Sequence, residues 1–569
     1  MSVRMFLRCA FRNSIVLFLA WSLAAASQVL AQTNASAKDA KPSGVPRIVS
    51  HTNLVLIPTV VTDKSGAPIT GLTKDDFYVH ESGQAQKISV FEEIQTKPGT
   101  IRRVDPNDNG FTNAVSQEAR TQRLTMIVLD TLNTRFQDQV RARRELLKFV
   151  DETLQADEPV ALMTIGPSGL NVINDFTTDP KELAAAVKKV RGRLSTAEKS
   201  ENDRADLGGA LENQRQLGRA PVSQGQIADE LYGFEGGVFD RFEQQEQGAG
   251  VEITLRALRQ IAESFAGVPG RKSLIWATGG LPFIADDPSA FSFRNVNLEP
   301  LYEATWNAMN ESQITVYPLD MGGLFNSGFV SPRFRRATRS RRAIDSVSNL
   351  ETLAKMTGGK LCEFKMNLSG CYNDTQRDAN HYYLLGYYTD TTKGKIGWRK
   401  LDVEVPRPQV QVRARSGYYV RTKESDPKKT EREDMDTAIT SPTDFTAVPM
   451  LVRWTGRAAD GAKTRLNFQF NVAGPGVTID ESNGNLMSLA FAAFAKTPKG
   501  GIAGDYVKEL EGKLPDATVE KILAHGVVYD GTISVPPGKF TVRFIVRDNL
   551  SGKVGTVSVP VEIETPAAK

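Results

Sequence analysis

Apolar and polar positions along the chain change their period several times, and each change marks a different kind of element. From residue 48 to 97, short alternating runs such as FYVHE are separated by turn signals such as DKSGAP, predicting a small β domain. Residues 98–121 are polar and carry DPNDNG, a turn or flexible connector. From Leu124 the pattern becomes continuous apolar runs alternating with helical spacing. LTMIVL, VALMTI, LNVINDF, SLIWAT and ITVYPLD predict strands. RFQDQVRARRELLKFVDETL places Phe136, Val140, Leu146, Leu147, Val150 and Leu154 at helical spacing. DPKELAAAVKKV predicts a second helix, with Asp179 as N-cap and Pro180 at the first helical position. Further helices are predicted over VEITLRALRQIAESFAGV, near YEATWNAMNES, and over AIDSVSNLETLAKMTGG. This alternation over 122–380 predicts a doubly wound, mainly parallel sheet. It is interrupted at 193–250 by a polar insertion expected to be a mobile excursion or exposed helices.

After residue 380 the period returns to two. HYYLLGYY, KLDVEV and QVQVRARSGYYV predict a β extension over 381–422, and 423–444 reads as a charged linker. Residues 445–565 predict six or seven short strands with regular turns, a pattern suggesting an immunoglobulin-like β-sandwich. The expected fold class is therefore α/β plus β. A doubly wound sheet stands between a small N-terminal β domain and a C-terminal sandwich.

The first 31 residues change the picture of where this fold works. Arg4, Arg8 and Arg12 precede SIVLFLAWSLAAA, and VLA ends at Ala31, which reads as a Sec-type signal peptide. An uncleaved anchor is the alternative, but the apolar core is short for a span. A polar linker follows at 32–47, and no second apolar run of spanning length is present. The expectation is a secreted or periplasmic protein with no transmembrane span in the mature chain. With Cys9 in the signal, Cys362 and Cys371 remain, and export suggests that they form a disulfide; two unpaired buried thiols are the alternative.

Composition excludes more than it assigns. A net charge of +4 over 569 residues gives no global polyanion-binding signal, so no nucleic acid partner is expected. Four scattered histidines argue against a histidine-based metal or acid–base centre. Neither a G-x-S-x-G nucleophile elbow nor a phosphate-binding G-x-x-x-x-G-K-[ST] loop is present. One basic patch stands out, Arg333, Arg335, Arg336, Arg339, Arg341 and Arg342. It reads as a surface for an acidic polymer, lipid headgroup or acidic partner, or as a solvated loop before a helix.

An ordered set of segments, LTMIVLDTLNT, GRKSLIWATGGLPF, ITVYPLDMGGL, LAKMTGG, HYYLLGYYTD and VRARSGYYV, resembles bacterial VWFA-related domain proteins. These are a divergent branch of the von Willebrand factor A superfamily, and the resemblance covers about residues 48–422. It implies an A-like α/β domain with a strand-end rim that binds proteins or matrix, and no reaction. The superfamily's consensus rim has a D-x-S-x-S loop, a separate Thr and a second Asp around a hard cation. Here Asp130 matches the first Asp and Thr134 the second Ser, with Thr177 as the separate Thr and Thr178 its alternative. Leu132 replaces the first Ser and Gly279 the second Asp. The resemblance thus implies a degenerate site, a weak one at most through Asp130, Thr134 and Thr177, and no cofactor; Mg²⁺ is the alternative. Asp320, ending ITVYPLD, is either a replacement carboxylate or a turn cap, and Asp130 is open to amide donors from Asn133 and Thr134.

The expected function is non-enzymatic: an exported protein-binding, adhesion or scaffold protein engaging an envelope or extracellular partner. The binding rim is expected at Asp130, Asn133, Thr134, Thr177 and Asp320. Two rival classes are a hydrolase acting on envelope polymers and a structural module of an envelope assembly.

Overall fold

The computed structural model describes residues 52–98, 110–115, 122–154, 158–192, 194, 248–280, 292–293, 296–321, 339–362, 368–390, 397–420 and 427–564. The signal segment 1–31, the linker 32–47 and nearly all of the insertion 193–250 lie outside these residues. The basic patch lies outside as well: Arg333, Arg335 and Arg336 precede the helix Arg339–Thr357. The side chains of Arg339, Arg341 and Arg342 on that helix are not described.

The central sheet runs in the order Ile314–Asp320, Lys272–Thr278, Gln122–Asp130, Val160–Gly166, Gly169–Thr177. The first four are mutually parallel, and Gly169–Thr177 turns back antiparallel on Val160–Gly166. A short piece at Lys97–Pro98 adds beside Gln122–Asp130. Helices cover both faces, so the Gln122–Asp130 strand carries a continuous apolar run, Met126 to Leu129, rather than an alternation. Leu124, Met126 and Val128 enter one core, which also holds Trp276, Tyr302 and Trp306. Ile127 and Leu129 enter the core on the other face, beneath Leu146, Phe149 and Val150 of the helix Phe136–Glu152. Asp179 caps the helix Pro180–Lys189 through Lys181 N at 2.8 Å, with Pro180 opening it. Cys362 and Cys371 are joined in a disulfide, which ties the segment beside Leu319 to the helix Leu368–Asn380.

Two segments about three hundred residues apart build one β-sandwich. Thr52–Thr62 pairs with His381–Asp390, and Tyr78–Glu81 pairs with Gly397–Glu404. The small N-terminal β domain and the β extension of the sequence reading are therefore halves of a single body, with Ile57, Val79, Tyr383, Leu385 and Leu401 in one core. Glu81, from the first segment, accepts from Tyr387 Oη at 2.6 Å, Tyr418 Oη at 2.9 Å and Arg399 Nη1 at 3.0 Å, all from the second.

The C-terminal block forms two four-stranded antiparallel sheets around a shared core that includes Phe468, Phe470, Phe491 and Phe544. Seven of the eight strands come from the block itself; the eighth, Gly110–Thr112, is supplied by the connector. Asn113 fixes it there, donating to Phe445 O at 2.7 Å and accepting from Met450 N at 2.8 Å.

The stretch read as a charged linker instead holds the helix Pro427–Thr440. Its Asp434 is 1% exposed and bonds Arg259 of the α/β body and Arg547 of the C-terminal sandwich, the latter at 2.8 Å. A carboxylate between two guanidiniums turns a charged sequence into a buried seam, and the apolar pattern carries no trace of that.

Candidate functional site

The chain order in the central sheet reverses between Gln122–Asp130 and Lys272–Thr278, and a crevice opens at the carboxyl ends of strands where such a reversal occurs. Asp130 stands at that point. Leu129 pairs with Ala277, so Thr278 lies beside Asp130 across the reversal.

The loop after Asp130 folds around its carboxylate. Oδ1 accepts from Leu132 N at 3.1 Å and Asn133 N at 2.9 Å. Oδ2 accepts from Asn133 Nδ2 at 2.8 Å and faces the Thr278 hydroxyl at 2.9 Å. A carboxylate has about four acceptor positions, and here N–H donors of the loop meet three of them, with the Thr278 hydroxyl, which also faces Gly280 O at 2.8 Å, at the fourth. Asn133 Nδ2 also donates to Thr254 Oγ1 at 3.0 Å, on the helix spanning 248–264. Gln139 Nε2 donates to Thr131 O at 3.0 Å and Thr134 O at 2.7 Å, and Thr134 Oγ1 accepts from Gly279 N at 2.8 Å. Asp130 is 1% exposed, and burial pushes its carboxyl up to about 6 against the opposing pull of those hydrogen bonds.

These residues do not fit a hexacoordinate cation. Leu132 is packed in the core, 3% exposed. At Gly279 a Cβ would sit 2.8 Å from Asn133 O and 3.0 Å from Thr134 Cα, so the position has no room for the consensus carboxylate. Thr177 is at the wrong edge of the sheet: Thr125 pairs with Val160, and Val160 pairs with Thr177. It is thus level with Thr125, five residues below Asp130, or roughly 16 Å at the usual strand rise. The antiparallel turn of Gly169–Thr177 causes this, because it carries the strand's carboxyl end away from the rim. There Thr177 Oγ1 bonds Glu182 at 2.5 Å and accepts from Asp179 N at 3.1 Å. Asp320 is at the correct edge, level with Thr278 but one strand further out, and is buried. Among the described residues no group of three or more His, Cys, Asp or Glu is arranged to hold a metal.

Of the five residues expected at the rim, Asp130, Asn133 and Thr134 come together, Asp320 stands apart on the same edge, and Thr177 does not join them. Asp130 and Thr134 are struts beneath the surface, and only Asn133 is half-buried. The accessible surface lies immediately beside them. A cleft of about 320 Å³ runs along the first helix, floored by Leu129, Asp130 and Ala277 and walled by Phe136, Val140 and Val190. Phe136 is 42% and Val140 45% exposed, although both share the helical spacing of core positions. The signal was present in the phase of that spacing. At about 100° per residue, Phe136, Val140 and Leu147 form one stripe, and Ala142, Leu146, Phe149 and Val150 form another. The second stripe is core, and of the first only Leu147 packs against it, partly buried.

No family model matches the chain, and no curated protein matches it. Among solved structures, the crystal structure of the SpRpn10 VWA domain is similar to 37% of this chain and 99% of that domain, with 13% sequence identity and a TM-score of 0.15.

Proposed function

We propose that the chain is an exported, non-enzymatic protein-binding or scaffold protein, a divergent bacterial von Willebrand A relative that engages its partner without a bridging cation. The observation that carries this reading is the closure of the Asp130 loop. Its carboxylate holds Leu132, Asn133 and Thr278 in place, and the neighbouring Gly279 has no space for a second ligand. The Cys362–Cys371 disulfide supports an oxidising compartment. The buried Arg259–Asp434–Arg547 seam supports a scaffold role, since it fixes one body against another. We read the C-terminal pair of sheets as an immunoglobulin-like sandwich, a further binding or spacing module.

Two measurements test the reading. Titration calorimetry with Mg²⁺ is expected to give no saturable heat; tight binding abolished by Asp130→Ala overturns the cation-free mechanism. Immobilised full-length protein is expected to retain a specific protein from an envelope extract in the presence of a chelator. Retention of none, alongside turnover of an envelope polymer, overturns the binding reading in favour of a hydrolase.

A further inference from the structure

We propose that the cleft along the first helix is the docking site for a protein segment that places one large apolar side chain next to a carboxylate. This deepens the binding reading above and rests on it. Three observations point to that chemistry. The walls are apolar, and Val140 leaves nearly half its surface in solvent, on a helix whose other stripe is fully packed. The size suits a single anchor, because about 320 Å³ holds one aromatic or leucine-sized side chain with room for its neighbours.

The third observation is charge. Arg143 and Arg144 line the same cleft, and neither makes an ion pair or side-chain hydrogen bond among the described residues. Elsewhere in this protein Arg259, Arg399, Arg413 and Arg547 each hold a carboxylate. The cleft's one acidic lining residue is Asp130, whose oxygens are occupied by their own loop. Two uncommitted guanidiniums over an apolar floor complement a carboxylate adjoining an apolar group, since arginine binds carboxylates through paired, charge-assisted hydrogen bonds. The crossing of the 190–192 segment fixes the far wall, because a Cβ at Gly192 would sit 2.7 Å from the Phe136 ring.

The test uses the full chain and three small probes with one aryl group and different heads: 3-phenylpropanoate, 3-phenylpropan-1-ol and 3-phenylpropylammonium. Their binding is followed by saturation-transfer NMR. The carboxylate is expected to bind about tenfold more tightly than the alcohol, and the ammonium most weakly. Arg143→Gln with Arg144→Gln is expected to erase that ranking, and Val140→Glu to remove binding of the carboxylate. Glu152→Gln, on the same helix but outside the cleft, is expected to change nothing. Equal binding by all three heads, no binding by the carboxylate, or binding indifferent to Val140→Glu overturns the assignment. The envelope-extract experiment separates the two claims. A partner still retained by Val140→Glu sinks the cleft and leaves the binding reading standing. Head-group-selective probe binding with no retained partner leaves the cleft's chemistry standing and sinks that reading.

Discussion

Asp130 and Asp434 are both buried aspartates at 1% exposure, and they do opposite things. Asp130 is surrounded by neutral donors, and burial wins: its carboxyl is pushed up to about 6. At Asp434 burial pushes the same way, but Arg259 and Arg547 outweigh it and hold the carboxyl below the usual range. The first aspartate organises a loop whose conformation depends on its oxygens. The second joins two bodies through charge. Burial alone therefore says little about a carboxylate's role; the sign of the charges around it decides.

The largest effect is expected where that charge balance is broken. Asp434→Ala leaves two guanidiniums buried without their shared partner and is expected to destabilise the protein by about 3–5 kcal/mol. Denaturant melts read the loss, and a change within experimental error would mean that the seam is not what holds the C-terminal sandwich to the α/β body. The pH dependence follows the same logic. With its pKa lowered, Asp434 adds stability that is present above the unfolded carboxyl's pKa and lost as pH falls through the folded one.

Asp130 is expected to slope the other way. Its folded pKa of about 6 exceeds the ordinary 3.8, so between those values the native state keeps a proton that the unfolded chain has released. Stability from this group is full below about pH 4 and falls as pH rises to about 6, by up to about 3 kcal/mol. Asp130→Asn does not titrate, so the difference between wild-type and variant stability should move with pH across that window. A difference that stays constant from pH 4 to 6 would show that the loop's hydrogen bonds, not burial, control Asp130.

Gly279→Asp asks whether the rim is an impaired cation site or a closed one. Its Cβ would meet Asn133 O at 2.8 Å, so overpacking is expected to cost about 1–3 kcal/mol. Calorimetry on the variant is expected to show no gain of Mg²⁺ binding. Saturable binding would mean that the loop opens and that the missing carboxylate was the only obstacle.

The parts of this contrast that were legible in the sequence are those set by local period. The apolar run ending in Asp130 reads as a central strand, and the two sides of the strand do enter two cores. Leu132 and Gly279 stood out as losses to the rim, but the steric closure at Gly279 depends on where the 133–134 backbone lies. Thr177 was misplaced because a period identifies a strand without giving its direction. The composite sandwich was divided for a related reason: alternation in Thr52–Thr62 and in His381–Asp390 marks two strands without naming them as partners. Pro427–Thr440 was hidden because it buries Asp434, Thr437 and Ala438, and an aspartate neutralised from elsewhere looks like a solvated charge.

Val140→Glu should have the smallest effect on stability, and that is its use. Val140 is 45% exposed, and glutamate has the better helix propensity, so a change within about 0.5 kcal/mol is expected. Leu146, six residues along on the other stripe and fully buried, gives the contrast: Leu146→Ala is expected to cost about 2–5 kcal/mol. The pair separates the two stripes of one helix, one holding the fold and the other facing a cleft lined by Arg143 and Arg144. If thermal melts showed Val140→Glu costing as much as Leu146→Ala, Val140 would belong to the packed core. The accessible surface near Asp130 would then exclude that wall, and the rim would be closed on its helical side as well.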